Sequence, residues 1–77
     1  MTTVAFVLPT RMNVDLSVYD VTGRLIERLV SGPIDAGLHR VEWSGGDGRG
    51  RDVPSGIYFV RLRAEGFTET RKMVLLE

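Results

Sequence analysis

The run VEWSGGDGRGRDVPSGIYFV, Val41 to Val60, places two apolar-alternating segments on either side of a stretch crowded with glycine and charge. A phosphate cradle, a calcium loop, an adhesion motif and a plain connector all compete for it. Alternating glycines at Gly46, Gly48 and Gly50 suit a dinucleotide fingerprint only where a helix follows, because the helix N-terminus holds the pyrophosphate. The residues that follow here, Gly56 to Ala64, alternate with period two and read as a strand, and Asp47 would repel phosphate. There is no Walker-type Gly-Lys-Ser/Thr. A calcium loop of the EF-hand kind needs oxygen ligands at its first, third and fifth positions. Counted from Asp47, the third and fifth are Arg49 and Arg51, which weakens that reading. Arg49-Gly50-Arg51-Asp52 is not Arg-Gly-Asp. What remains is a connector: an Asx-turn at Asp47, then glycines in left-handed conformations.

Working outward, period two dominates the chain. Val14, Leu16 and Val18 alternate with Asp15, Ser17 and Tyr19 across Asn13–Asp20, which predicts a half-buried strand. Asp20-Val21-Thr22-Gly23 follows as a hairpin turn, since Asp can bond its downstream backbone and Gly accepts positive φ. Arg24 to Ser31 is ambiguous, because Leu25, Ile26 and Leu29 would also suit a helical face. It is only about two turns long and follows a hairpin signal, so it is read as a strand. Gly32 to Gly37 carries turn chemistry. Leu38–Trp43 alternates again, with His39, Val41 and Trp43 on one face. Gly56–Ala64 puts Tyr58, Val60 and Leu62 together. Glu65-Gly66 turns the chain into Phe67–Leu76, and Thr3–Leu8 forms a first strand stopped by Pro9. Short strands at near-regular spacing with no convincing helix predict an all-β, antiparallel sandwich of about six to seven strands, with one core centred on Trp43, Tyr58, Leu16 and Leu62.

The 77 residues allow one domain, 1–77. Domains this small bury a smaller fraction of their surface than large ones, and with no cysteine there is neither a disulfide nor a thiolate metal site to help. Ten basic residues balance ten acidic ones, which excludes the basic surface of a general nucleic-acid binder. No apolar run reaches the roughly 18 residues of a membrane-spanning helix. The N-terminus lacks a basic region and a long apolar core, so no signal peptide is visible. The domain is therefore expected either to stay inside the cell or to be a piece of a longer exported protein.

Catalytic chemistry is thin. His39 is the single histidine, Ser44 and Ser55 lie in no nucleophile elbow, and nothing marks the carboxylates of Asp15 and Asp20 on one hairpin arm, or Asp47 and Asp52 in one loop, as buried. The aromatics could offer a sugar platform, but their spacing suits packing. Arg61, Arg63 and Arg71 are expected along one face of the last hairpin, laddered with Glu65 and Glu69. The finish Lys72-Met73-Val74-Leu75-Leu76-Glu77 is an apolar strand without a polar tail. Open edges of that kind pair with other chains, which makes these six residues the candidate recognition surface.

The elements Val18-Tyr19-Asp20 with Gly23-Arg24, Ala36-Gly37, Val41-Glu42-Trp43, Gly45 with Asp47, Gly50-Arg51 with Val53, Ser55-Gly56-Ile57-Tyr58 and Lys72–Leu76 occur in a fixed order along nearly the whole chain. In that order they resemble the small Ig-like domain of the flagellar hook-capping protein and of type IX secretion C-terminal sorting domains. Phe6-Val7-Leu8-Pro9 is similar to that group's first strand. Two positions depart: Ser44 stands where Asp is common after the Trp, and Gly48 where a second loop Asp is common. Both changes remove carboxylates and further weaken calcium binding. The resemblance implies an Ig-like or fibronectin-III-like sandwich with no enzymatic activity and no cofactor, whose turns and core rest on Asp20, Gly23, Gly37, Trp43, Gly45, Asp47, Gly50, Gly56 and Tyr58.

Two roles follow from the resemblance. The first is a C-terminal sorting or anchoring module of a secreted bacterial protein, recognised by secretion or surface-assembly machinery through Lys72–Glu77. The chain's finish at Leu75-Leu76-Glu77 favours it. The second is a structural assembly subunit, hook-cap-like or self-associating through strand edges. Both imply export to the cell surface or beyond, without direct membrane insertion. A minor third role is an accessory calcium- or carbohydrate-binding domain.

Overall fold

The computed structural model describes residues 2–76. Among them six strands form: β1 (Thr2–Leu8), β2 (Met12–Tyr19), β3 (Leu25–Ile34), β4 (Gly37–Trp43), β5 (Gly56–Ala64) and β6 (Phe67–Leu75). All pairings are antiparallel. β1 pairs with β4 in a two-stranded sheet, and the larger sheet runs β3-β2-β5-β6. The all-β sandwich expected from the sequence is the one observed. No helix among the described residues is long and apolar enough to cross a membrane.

The alternating strands direct their apolar residues inward as expected. The interior nevertheless divides into two clusters rather than one. Phe6, Leu8, Val14, Leu16, Val60 and Leu62 form the first. Val18, Trp43, Val53, Tyr58 and Leu75 form the second, with Leu29 and Met73 packed against both. The division follows the strands. Leu16 and Leu62 face each other in the β2–β5 register, whereas Trp43 ends β4 and Tyr58 lies near the start of β5. These two aromatics meet edge to face with centroids 5.2 Å apart.

Two differences concern β3. Gly32-Pro33-Ile34 continues this strand instead of turning, with Asn13 opposite Pro33 and Met12 opposite Ile34. β3 is an edge strand, so the missing Pro33 N–H need not break the ladder. The mixed periodicity of Arg24–Ser31 has a structural cause. The β2–β3 register slips between Leu16 and Ser17 and again between Val18 and Tyr19, leaving Leu29 and Ile26 as the extra residues. Each bulge shifts the phase of the alternation. Ile26 and Leu29 can therefore both pack on the core, which imitates a helical stripe in the sequence.

On the outward face of β2, Ser17 is fully buried. Its hydroxyl donates to Asp15 Oδ1 at 2.6 Å, and its register neighbours are Arg28 and Arg61. Arg28 reaches Asp15 Oδ2 at 3.2 Å, and the Arg61 guanidinium lies 4.8 Å from the Tyr19 ring centre. Long arginine side chains thus flank the serine on both neighbouring strands, a setting that alternation does not reveal.

Candidate functional site

The glycine-rich connector is built on a turn that the chain uses twice. Asp20-Val21-Thr22-Gly23-Arg24 and Asp47-Gly48-Arg49-Gly50-Arg51 share the pattern Asp-x-x-Gly-Arg. In the first, Asp20 Oδ1 accepts from the N–H groups of Thr22 (2.9 Å) and Arg24 (3.0 Å). In the second, Asp47 Oδ1 accepts from those of Arg49 (2.8 Å) and Arg51 (3.1 Å). The glycine N–H donates to the aspartate carbonyl in both, at 3.0 Å and 3.2 Å. The aspartate N–H donates to the arginine carbonyl in both, at 3.0 Å and 2.7 Å. Each arginine Nε stands 3.6 Å from its aspartate Oδ2. Gly23 and Gly50 take φ of 85° and 81°, a region that side-chain-bearing residues avoid. The repeat was present in the sequence and is the signal that a separate treatment of each turn misses.

These hydrogen bonds favour the charged carboxylates. The Thr22 hydroxyl, 2.6 Å from Asp20 Oδ1, is the main cause holding Asp20 below the ordinary aspartate range, aided by the Arg24 and Thr22 N–H groups and the Arg24 charge. The Arg49 N–H does the same for Asp47, followed by the Arg51 N–H. Asp47 is thus engaged by its own loop. Gly48 N–H reaches out of the loop to the carbonyl of Ile26, 3.1 Å away on β3. The connector thereby lies along the outer edge of that strand. The Val53 N–H to Gly45 carbonyl bond (2.9 Å) and the Gly46–Asp52 bridge close its base. Trp43 Nε1–H donates to the Gly46 carbonyl at 2.8 Å, and Tyr58 OH to the Pro54 carbonyl at 2.6 Å. Trp43, Gly45, Asp47, Gly50 and Tyr58, expected from the sequence as turn and core residues, are therefore brought into one corner. Asp20 and Gly23 shape the sister turn. Gly37 opens β4 and Gly56 opens β5.

Between the two turns lies an open cleft of about 430 Å³ lined by Arg24, Arg49, Arg51, Ile26, Gly48 and Val53, among others. Trp43 and Tyr58 are buried, so they offer no sugar platform. His39 stacks on Phe6 at 5.4 Å, and its Nε2 lies 2.7 Å from the Asp35 carbonyl. Among the described residues no three His, Asp or Glu side chains converge on a common point.

The terminal strand divides the predicted recognition set. Met73 is half-buried and Leu75 is core, whereas Lys72, Val74 and Leu76 face outward. Glu77 lies outside the described residues. Ile57 stands opposite Val74 on that outer face, and both are exposed. Arg71 does not share a face with Arg61 and Arg63. It stands opposite inward-facing Val60, and Glu69 stands opposite Leu62, so the Arg71–Glu69 pair (2.7 Å) lies on the core side of β6. Thr70 and Thr68 are the residues opposite Arg61 and Arg63. The expected arginine ladder fails because Arg71 falls in register with Val60, on the opposite phase of the alternation.

A two-stranded and a four-stranded antiparallel sheet closed by a Trp–Tyr corner define a small Ig-like domain. The chain belongs to the FlgD Ig-like domain family, whose model matches residues 2–66. It is also similar to the crystal structure of FLGD from P. aeruginosa, at 29% identity and a TM-score of 0.71. That similarity covers 95% of this chain and 59% of the P. aeruginosa chain, so this domain spans less than two thirds of that protein. No curated protein matches the chain. Family membership backs the structural-assembly role above the sorting role.

Proposed function

We propose that the domain is a non-enzymatic structural module of an exported bacterial assembly, of the flagellar hook-cap kind, that works by contact with neighbouring subunits at the cell surface. The observation that carries this reading is the match over residues 2–66, joined to the likeness to FLGD over nearly all of this chain. Its surface supports contact rather than chemistry. Exposed Val7, Leu38, Val74 and Leu76 offer apolar contact points, and arginines line a cleft beside the paired turns. The test is a chimera in which this domain replaces the Ig-like region of FlgD in a flagellated bacterium. Hook formation above that of a strain lacking the region, scored by electron microscopy, is the expected result. An exported, folded chimera that builds no hooks would overturn the reading. Trp43 emission of the purified chimera reports folding.

A further inference from the structure

An Ig-type sandwich of the constant kind has seven strands, four in one sheet and three in the other. Among the described residues this one has six, and its smaller sheet holds β1 and β4. β1 is bonded on one side alone, so every second residue from Thr2 to Leu8 directs its N–H and C=O away from β4 toward an open edge. Unpaired edges are normally guarded. The β3 edge carries Pro33 and has its Ile26 carbonyl occupied by Gly48. β4 exposes Arg40 and Glu42. β6 turns Glu69 and Arg71 inward and adds Lys72. β1, by contrast, reads Thr-Thr-Val-Ala-Phe-Val-Leu, without a charge, a proline or a glycine. Beside it runs a groove of about 370 Å³ whose lining includes Ala5, Phe6, Val7, Leu38, Leu62 and Phe67, with the Glu69–Arg71 pair on its far wall.

We propose that the free edge of β1 receives a single extended strand from a partner subunit, which completes the smaller sheet from two strands to three. This rests on the assembly reading and names its contact. Backbone hydrogen bonds to β1 supply affinity, and alternate side chains supply specificity. The incoming strand carries apolar residues where it faces Phe6, Leu62 and Phe67, and a polar residue where it meets Glu69 and Arg71. Both walls of the groove belong to this chain. That favours one strand over the edge of a second folded copy, which would bring its own larger sheet against β6.

The test uses the full chain, isotopically labelled, and the peptide Lys-Thr-Val-Thr-Val-Thr-Val-Thr-Lys as probe. Saturable amide shifts and slowed exchange centred on alternate residues of β1 are expected. Val7→Lys places a charge at a 66% exposed position and is expected to weaken binding at least tenfold. Thr70→Lys on β6 leaves the affinity unchanged. Shifts confined to β3, β4 or β6, equal weakening by both variants, or no binding at millimolar peptide would each overturn the proposal. So would a dimer in sedimentation that Val7→Lys abolishes, since the occupant would then be a second copy. None of these readouts depends on hook formation, so the strand site and the assembly role fail separately.

Discussion

Leu75 and Leu76 are chemically identical neighbours in a segment that the sequence marks as one recognition surface, and the structure separates them. Leu75 is 3% exposed and packs with Trp43, Tyr58, Val18 and Val53, whereas Leu76 is 82% exposed. Truncating a fully buried leucine to alanine costs about 2–5 kcal/mol, the transfer of the lost carbons plus the cavity left behind. Truncating an exposed one stays within about 0.5 kcal/mol. A chain of 77 residues has a total stability of roughly 4–12 kcal/mol. A loss near 3 kcal/mol thus removes a quarter to three quarters of it and lowers Tm by roughly 12–24 °C. Urea unfolding followed by the emission of Trp43, the single tryptophan, measures both variants through a residue of the same cluster. Leu75→Ala is expected to shift the midpoint strongly and Leu76→Ala hardly at all. Equal small shifts would show that the terminal strand is not part of the core, and the assignment of β6 would fall.

Three further outcomes follow from the corner and the turns. Tyr58→Phe removes the donor to the Pro54 carbonyl and should cost about 1 kcal/mol in the same urea assay. Gly23→Ala and Gly50→Ala meet no neighbouring atom but force a side chain to positive φ, so each should cost about 1–2 kcal/mol, read from Tm. Asp20 and Asp47 have folded pKa values below their unfolded ones. Their contribution is present above the unfolded aspartate range and is lost as pH falls through the folded pKa. Thermal unfolding from pH 7 down to 2 should therefore steepen on the acid side. Asp20→Asn with Asp47→Asn should flatten that slope, and an unchanged slope would remove the assignment.

Much of the fold was legible because period two survives wherever one face is buried and the other wet. β1, β2, β4, β5 and β6 fall within a residue or so of their expected limits. β3 was harder because legibility needs an uninterrupted phase. Its bulges at Ile26 and Leu29 reset the phase, and an edge position lets Pro33 stay within the strand. The corner residues were legible as turn chemistry and aromatic spacing, since an Asx-turn is encoded locally. Their partners were not: the Gly48 to Ile26 bond joins residues far apart in sequence. The faces of β6 were hidden for a related reason. Glu69 and Arg71 occupy inward positions that alternation alone would assign to apolar residues, at an edge the smaller sheet leaves open. The vacant side of β1 depends on counting strands per sheet, which requires the pairing itself.

The separation of the smaller sheet also has a kinetic consequence. β2 with β3 and β5 with β6 are sequence neighbours, and short loops bring each pair together. β1 must instead find β4 across both β2 and β3, and neither strand is hydrogen-bonded into the larger sheet. Long-range pairing carries a loop-closure cost that local hairpins avoid. The β2–β3 and β5–β6 hairpins should consequently form first, and both long-range pairings, β2 with β5 and the β1–β4 ribbon, should close later. In the native state that ribbon should also be the first unit to open, with amides of β1 exchanging ahead of those of β2 and β5. Transient opening would bare Leu16, Val60 and Leu62, and the lifetime of the domain would then be set by how tightly its smallest sheet is held down.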